Sequence, residues 1–447
     1  MIFGWVSILA VVVVVVLVTT GCIKEEYYPY CIMLMAFGLV YSITLLGSYV
    51  VGSDIQGELA ASRISLANGW NFTEATPENA ITGINLTSVV TGLLAPGLAR
   101  LLHMDLVWVF KVVLPLFLVA VPVVMYSVFK KQMGGQRAFY ATLFFIIMPV
   151  FNQQLAQIVK SMVAELFFAL AIWVMVSDWG WRGKILALAG CVIGASVSHY
   201  TIGIALIVYL AGIVLVRIAT SWMTWKLWAV RKAPVFVLVM ALLPGIFAFQ
   251  IYYHYAYGGA VNQVLLGTAK WYGSAGPVDM AHQAEVPVAE TPDLTPTLTP
   301  TPTGDPTSPT PSAQPPAATT SDSLVPKYLY NQEYTVQVGI GLDFLQQPLA
   351  GKLFRLVQYL TQGLIMLGAV YLLFRSDRYR FTAEFVAGIG GSFVLLLACI
   401  FVPQFSSIIN MPRFYQISLF FLAPMLVVGC DAVAGIGKKA ISVIATP

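Results

Sequence analysis

A chain of 447 residues that is 58% hydrophobic and 10% charged, with a net charge of +4 and a mean hydropathy of +0.81, fits no soluble globular class. Its sparse and weakly basic charge leaves no electrostatic footprint for nucleic acid. The composition instead predicts an all-α polytopic membrane protein, in which each span needs about 20 apolar helical residues to cross a core about 30 Å thick.

Apolar runs of that length, or close to it, predict about eleven spans, near 2–22, 28–51, 105–128, 138–152, 163–177, 184–198, 200–217, 233–255, 353–374, 383–402 and 413–436. The first, "MIFGWVSILAVVVVVVLVTTGC", lacks a basic start and reads as a retained helix rather than a cleaved signal. The chain then divides into two N-terminal spans (1–51), an outer loop (52–104), a six-helix core (105–255), a second outer loop (256–352) and three C-terminal spans with a short tail (353–447). In the first outer loop, "TSVVTGLLAPGLARLLHM" is interrupted by Pro96 and Arg100, which suits a helix lying at the interface rather than a span. In the second, the Thr- and Pro-dense tract 286–322 cannot build a packed core; it is expected to be disordered and open to O-glycosylation. The five cysteines (Cys22, Cys31, Cys191, Cys399 and Cys430) lie in or beside apolar spans without metal-ligand spacing and read as packing residues.

Basic residues sort the loops. Lys24, Lys130/Lys131/Arg137, Arg182/Lys184, Arg217/Lys226/Arg231/Lys232, Arg375/Arg378/Arg380 and Lys438/Lys439 fall in alternate connections, which the positive-inside rule makes cytoplasmic. The N-terminus is then outside and the C-terminus inside, in a multi-pass protein of the cell membrane. Two sequons, at Asn71 and Asn85, fall in the first outer loop and agree with that orientation.

The same outer side collects the residues able to carry chemistry. "VGSDIQGELAASRISLANGWNF" puts Asp54 and Glu58 four residues apart, on one helix face, at the mouth of the second span. Asp54 suits a general base taking a proton from an attacking hydroxyl; the plainer alternative is an N-cap Asp54 with Glu58 as an exposed charge meeting Arg63. In "NQQLAQIVKSMVAELFFALAIWVMV", Glu165 is an intramembrane carboxylate with Lys160 as its natural partner, either a site or a structural ion pair. "GASVSHYTIGIALIVYL" sets His199 and Tyr200 at the tip of a helical hairpin, where the histidine is either functional or structural. "SSIINMPRFYQISLFFLAP" brings Arg413 to the start of the last span, to grip a phosphate through its planar fork or to anchor at the interface. Walker-type, GxSxG, HExxH and haem-type motifs do not occur in the chain.

Taken in order, "GSDIQGE…ASRISLANGW", "KSMVAELFFALAIW", "LALAGCVIGASVSHYTIGIALIVYLAGIVLV" and "RFYQISLFFLAP" resemble an uncharacterised, largely archaeal group of multi-pass membrane proteins, itself similar to the GT-C superfamily of integral-membrane glycosyltransferases. The likeness runs from about residue 30 to 436. It implies a GT-C-like bundle whose helical first outer loop supplies a catalytic acid at Asp54, with Glu58 as a second carboxylate. By location, Lys160, His199 and Arg413 lie where similar proteins bind carrier phosphate or acceptor, and with Arg63, Glu165 and Tyr200 they make up the expected substrate-binding residues. The partners implied are a polyprenyl-phosphate-linked sugar, a glycan, lipid or protein hydroxyl acceptor, and membrane lipid. The chain departs from its relatives in the extra helix 2–22. It also spreads an adjacent acidic pair to Asp54 and Glu58, so no cofactor is called for and a divalent metal is not supported by the motif. The expected function is inverting transfer of a sugar at the outer face; the alternatives are a transporter or flippase for lipid-linked glycans, and a non-catalytic membrane scaffold.

Overall fold

The computed structural model describes residues 2–70, 85–222, 235–256, 344–374, 379–401 and 411–444. The Asn71 sequon, the Thr/Pro tract and Lys226, Arg231, Lys232, Arg375 and Arg378 lie outside the described residues. The described elements are all helical: α1 (Ile2–Thr19), α2 (Tyr28–Thr44), α3 (Ser53–Asn68), α4 (Ala95–Leu102), α5 (Leu106–Met133), α6 (Gly135–Ile147), α7 (Val159–Val176), α8 (Trp181–Ser198), α9 (Tyr200–Trp222), α10 (Val235–Ala256), α11 (Leu349–Phe374), α12 (Ala383–Phe401) and α13 (Met411–Ile444). The protein is an all-α polytopic membrane protein.

Seven of these helices are long and apolar enough to cross a membrane, or eight if a bent pair counts as one span. That is fewer than the eleven expected, for local reasons. The run 138–152 is broken at Pro149, which forces Met148 out of the helical region and leaves α6 at 62° to the segment Val150–Gln157. The described apolar parts of α1 (Val6–Thr19) and α10 (Val237–Gln250) are shorter than a full span, and α8 carries Arg182 and Lys184 in its first turn. The second expected span also ends early, at Thr44 rather than 51. As expected, Val90–Leu102 is a short helix and not a span.

The helices close into a circuit: α5 packs on α7, α7 on α8, α8 on α9, α9 on α12, α12 on α13, α13 on α6 and α6 on α5, with α2, α10 and α11 applied outside it. The centre is aromatic. Phe420 of α13 lies 5.0 Å from Phe145 and 4.9 Å from Phe168, and Phe421 lies 5.1 Å from Tyr209 and 5.3 Å from Phe385, so one helix ties four others together by ring contact. α11 and α13 meet more closely: a Cβ on Gly368 would strike the carbonyl of Met425, and one on Gly429 the carbonyl of Leu364. Small residues let two backbones touch where lipid offers no hydrophobic drive to bring helices together.

Charged groups gather at the two ends of this bundle. At one end Lys130 pairs with Glu25 at 2.8 Å, Lys131 with Asp178 at 2.6 Å and Arg137 with Asp431 at 2.7 Å. At the other end Arg413 pairs with Asp54 and Lys160 with Glu58. Arg413 and Asp431 sit on the same helix, and the residues between them span about 27 Å at 1.5 Å each, close to the thickness of a hydrocarbon core.

Candidate functional site

α3 starts where only glycine fits. Gly52 is the N-cap with φ +124°, and a Cβ there would strike the side chain of Gln157. The helix therefore begins at Ser53, and Asp54 falls in its first turn without capping it. That removes the N-cap alternative for Asp54. The preceding residues are held from the side by Lys111 of α5, whose ammonium donates to the carbonyls of Gly47 and Tyr49 and lies 5.6 Å from the Trp108 ring. Lys111 is 2% exposed, and the sequence reading passes over it although it is the one charge in an otherwise apolar run.

From this start the two carboxylates diverge in role. Asp54 is 53% exposed by side chain and accepts from Arg413 Nη2 at 2.9 Å. Glu58, one turn on, is fully buried, so it is not the exposed helix charge the alternative required. Its Oε2 accepts from the backbone N–H of Val159 at 2.8 Å, placing a carboxylate at the N-terminus of α7, where the helix dipole favours a negative charge. Lys160 Nζ lies 3.6 Å from its other oxygen. Burial pushes the Glu58 carboxyl up to about 7, against the opposing pull of Lys160 and the Val159 N–H.

Lys160 thus pairs with Glu58 of α3, not with Glu165 as expected. Its ammonium also donates to Asn85 Oδ1 at 2.6 Å. Asn85 is 6% exposed, so this sequon holds its side chain inside the bundle. The strand of contacts continues upward: Ser62 Oγ donates to the Thr91 carbonyl at 2.8 Å, Ser88 Oγ to the Ser198 carbonyl at 2.7 Å, and the Tyr252 hydroxyl to the Thr87 carbonyl. Residues 85–91 are in this way sewn between α3, α10 and the α8–α9 junction.

His199 is at that junction, the tip of the α8–α9 hairpin, where it is buried and stacked on Tyr200 at 5.2 Å. Burial holds its imidazole well below the usual histidine value, with the charges of Lys160 and Arg413 adding to the effect. It is therefore neutral at pH 7, and Nδ1 has no hydrogen-bond partner among the described residues. Glu165 lies beside Gln416, one turn past Arg413 on α13, yet no hydrogen bond of ordinary geometry joins them: among the described residues Glu165 Oε2 and both amide atoms of Gln416 have no partner. Arg63 is exposed and joins no ion pair among the described residues.

The tertiary structure therefore brings Asp54, Glu58, Lys160, Glu165, His199 and Arg413 to one end of the bundle, adds Asn85 and Gln416, and leaves Arg63 outside. Among the described residues no group of three or more His, Cys, Asp or Glu is placed to hold a metal ion. The arrangement offers a carboxylate at the rim, a guanidinium able to take an anion, and buried polar atoms awaiting partners.

Fold and site together define a polytopic helical membrane protein with a polar site at this end face. Over residues 324–446, which include α11, α12 and α13, the chain matches the family model described as "Predicted membrane protein (DUF2206)". No curated protein matches the chain, and no solved structure does.

Proposed function

We propose that the chain is an integral-membrane glycosyltransferase that moves a sugar from a polyprenyl-phosphate carrier to a hydroxyl acceptor, with inversion. The observation that carries this reading is the pairing of a half-exposed Asp54 with Arg413 at 2.9 Å, at the rim of a bundle end where Glu165 Oε2, His199 Nδ1 and the Gln416 amide lack partners among the described residues. Arg413 engages Asp54 through one terminal nitrogen, so a carrier phosphate that takes the guanidinium fork releases the carboxylate. Asp54 then accepts the acceptor's proton as that oxygen attacks the anomeric carbon. The bond from that carbon to the phosphate oxygen breaks, and its electron pair leaves with the phosphate, whose charge Arg413 neutralises, with Lys160 behind it. Glu58, committed to Val159 and Lys160, positions the start of α7 and leaves Asp54 as the base.

The site faces outward, with the N-terminus outside and the C-terminus cytoplasmic. The support is the concentration of basic residues at the opposite end, which the positive-inside rule makes cytoplasmic. A cysteine at Ser53 then labels with an impermeant thiol reagent in intact cells, and one at Gly134 does not. Loss of a surface glycan in an Asp54→Asn strain, with the protein level unchanged, separates the enzyme from both a flippase and a scaffold.

A further inference from the structure

A cavity of about 630 Å³ opens at the end of the bundle opposite Asp54, walled by Glu25, by Arg137 and Tyr140 of α6, and by Leu426, Val427 and Asp431 of α13. Its charged groups are only partly used. Glu25 gives Oε1 to Lys130, and Asp431 gives Oδ2 to Arg137 Nε and the Tyr379 hydroxyl. Glu25 Oε2, Asp431 Oδ1 and the terminal nitrogens of Arg137 make no hydrogen bond or ion pair among the described residues. The Glu25 and Arg137 side chains are about half exposed (50% and 49%) and that of Asp431 30% exposed, so these atoms are reachable from the cavity.

We propose that this cavity binds the headgroup of an ethanolamine phospholipid. The ammonium donates to Glu25 Oε2 and Asp431 Oδ1, the phosphate accepts from the terminal nitrogens of Arg137, and the acyl chains run along Leu426 and Val427. Charge decides the class of ligand. Two carboxylates face one guanidinium, with Lys130 beside them as the partner of Glu25, so the wall is close to neutral and carries both signs. A zwitterion satisfies both at once, whereas an anionic glycerol headgroup meets two carboxylates and a choline headgroup has no N–H to give them. Distance supports a lipid rather than a soluble ligand, because Asp431 lies about one hydrocarbon thickness along α13 from Arg413.

The test titrates the purified full-length protein in detergent with short-chain phosphatidylethanolamine, phosphatidylcholine and phosphatidylglycerol, reading bound lipid by native mass spectrometry. The expected result is about tenfold tighter binding of the ethanolamine lipid than of either other. Glu25→Gln and the cavity-filling Val427→Phe should each reduce that preference to about twofold or less. Val427 is half-buried and its replacement keeps every charge, so its effect is not that of a lost ion pair, and it decides the matter alone should Glu25→Gln fold poorly. Equal binding of the three headgroups by the unaltered protein, or an undiminished ethanolamine preference in either folded variant, overturns the assignment.

Discussion

Arg413 Nη2 donates to Asp54 Oδ2 over 2.9 Å and so joins the first turn of α3 to the first turn of α13, residues 359 positions apart. A pair this exposed contributes only about 0–1 kcal/mol to stability, so substitutions here report on chemistry rather than folding. Asp54→Asn keeps shape and loses the proton acceptor; single-turnover transfer should fall about 100-fold or more while lipid-phosphate-sugar binding survives. Arg413→Lys keeps the charge and loses the fork, so binding should weaken instead. Unimpaired transfer by Asp54→Asn would end the base assignment.

Glu58 makes stability depend on pH in a direction opposite to that of an exposed salt-bridged carboxylate. Its folded value is pushed from the ordinary 4.5 to about 7 by burial. Between those values the folded protein holds a proton that the unfolded chain has released, so stability falls as pH rises through the window and levels off above it. Thermal midpoints in detergent should decline from about pH 4.5 to about pH 7 and lose most of that slope in Glu58→Gln. A midpoint that rises across the same range contradicts the buried placement.

The same pair predicts an asymmetry between its members. Lys160→Met removes the cation that opposes the effect of burial on Glu58, so the carboxyl should rise further, take up a proton near neutral pH and carry the fall in stability to higher pH. Adding Glu58→Gln to it should abolish that pH dependence. A double variant as unstable as the sum of the two single ones would show that they do not interact.

Gln416 is fully buried and neither amide atom has a partner among the described residues. An unsatisfied buried polar group costs about 1–3 kcal/mol, so Gln416→Leu should raise the thermal midpoint. If the amide meets the sugar beneath the Arg413-bound phosphate, transfer should fall in the same variant. Greater stability with full transfer would assign Gln416 no part in the reaction.

Gly429→Ala should destabilise by about 1–3 kcal/mol, because the added methyl meets the Leu364 carbonyl, which cannot turn aside as a side chain would. Gly363→Ala on the facing helix is the control: a Cβ there meets nothing within 4 Å and should be neutral or slightly stabilising, by about 0.4–1 kcal/mol. Equal effects at the two positions would mean that α11 and α13 are not in backbone contact.

The amino-acid sequence by itself determined that the protein is helical and crosses a membrane, because span length and apolarity are local properties that water and lipid read along the chain. Alternating basic loops also placed Asp54, Lys160, Glu165, His199 and Arg413 at one end, since each crossing reverses the side. Within an element, Pro149 marked a break that the reading of 138–152 as one span overlooked. Only the tertiary structure decided which helices are neighbours. Lipid is as apolar as the protein interior, so hydropathy carries no signal for the lateral order of spans, and nothing local says that Lys160 turns to Glu58, about a hundred residues away, rather than to Glu165 five residues on. The same lateral order buried Asn85 beside that pair, carried Glu58 into the bundle while Asp54 stayed at the rim, and set Gln416 against Glu165. A carboxylate's role follows from what surrounds it in space, and that surrounding is assembled from segments whose separation along the chain hides it.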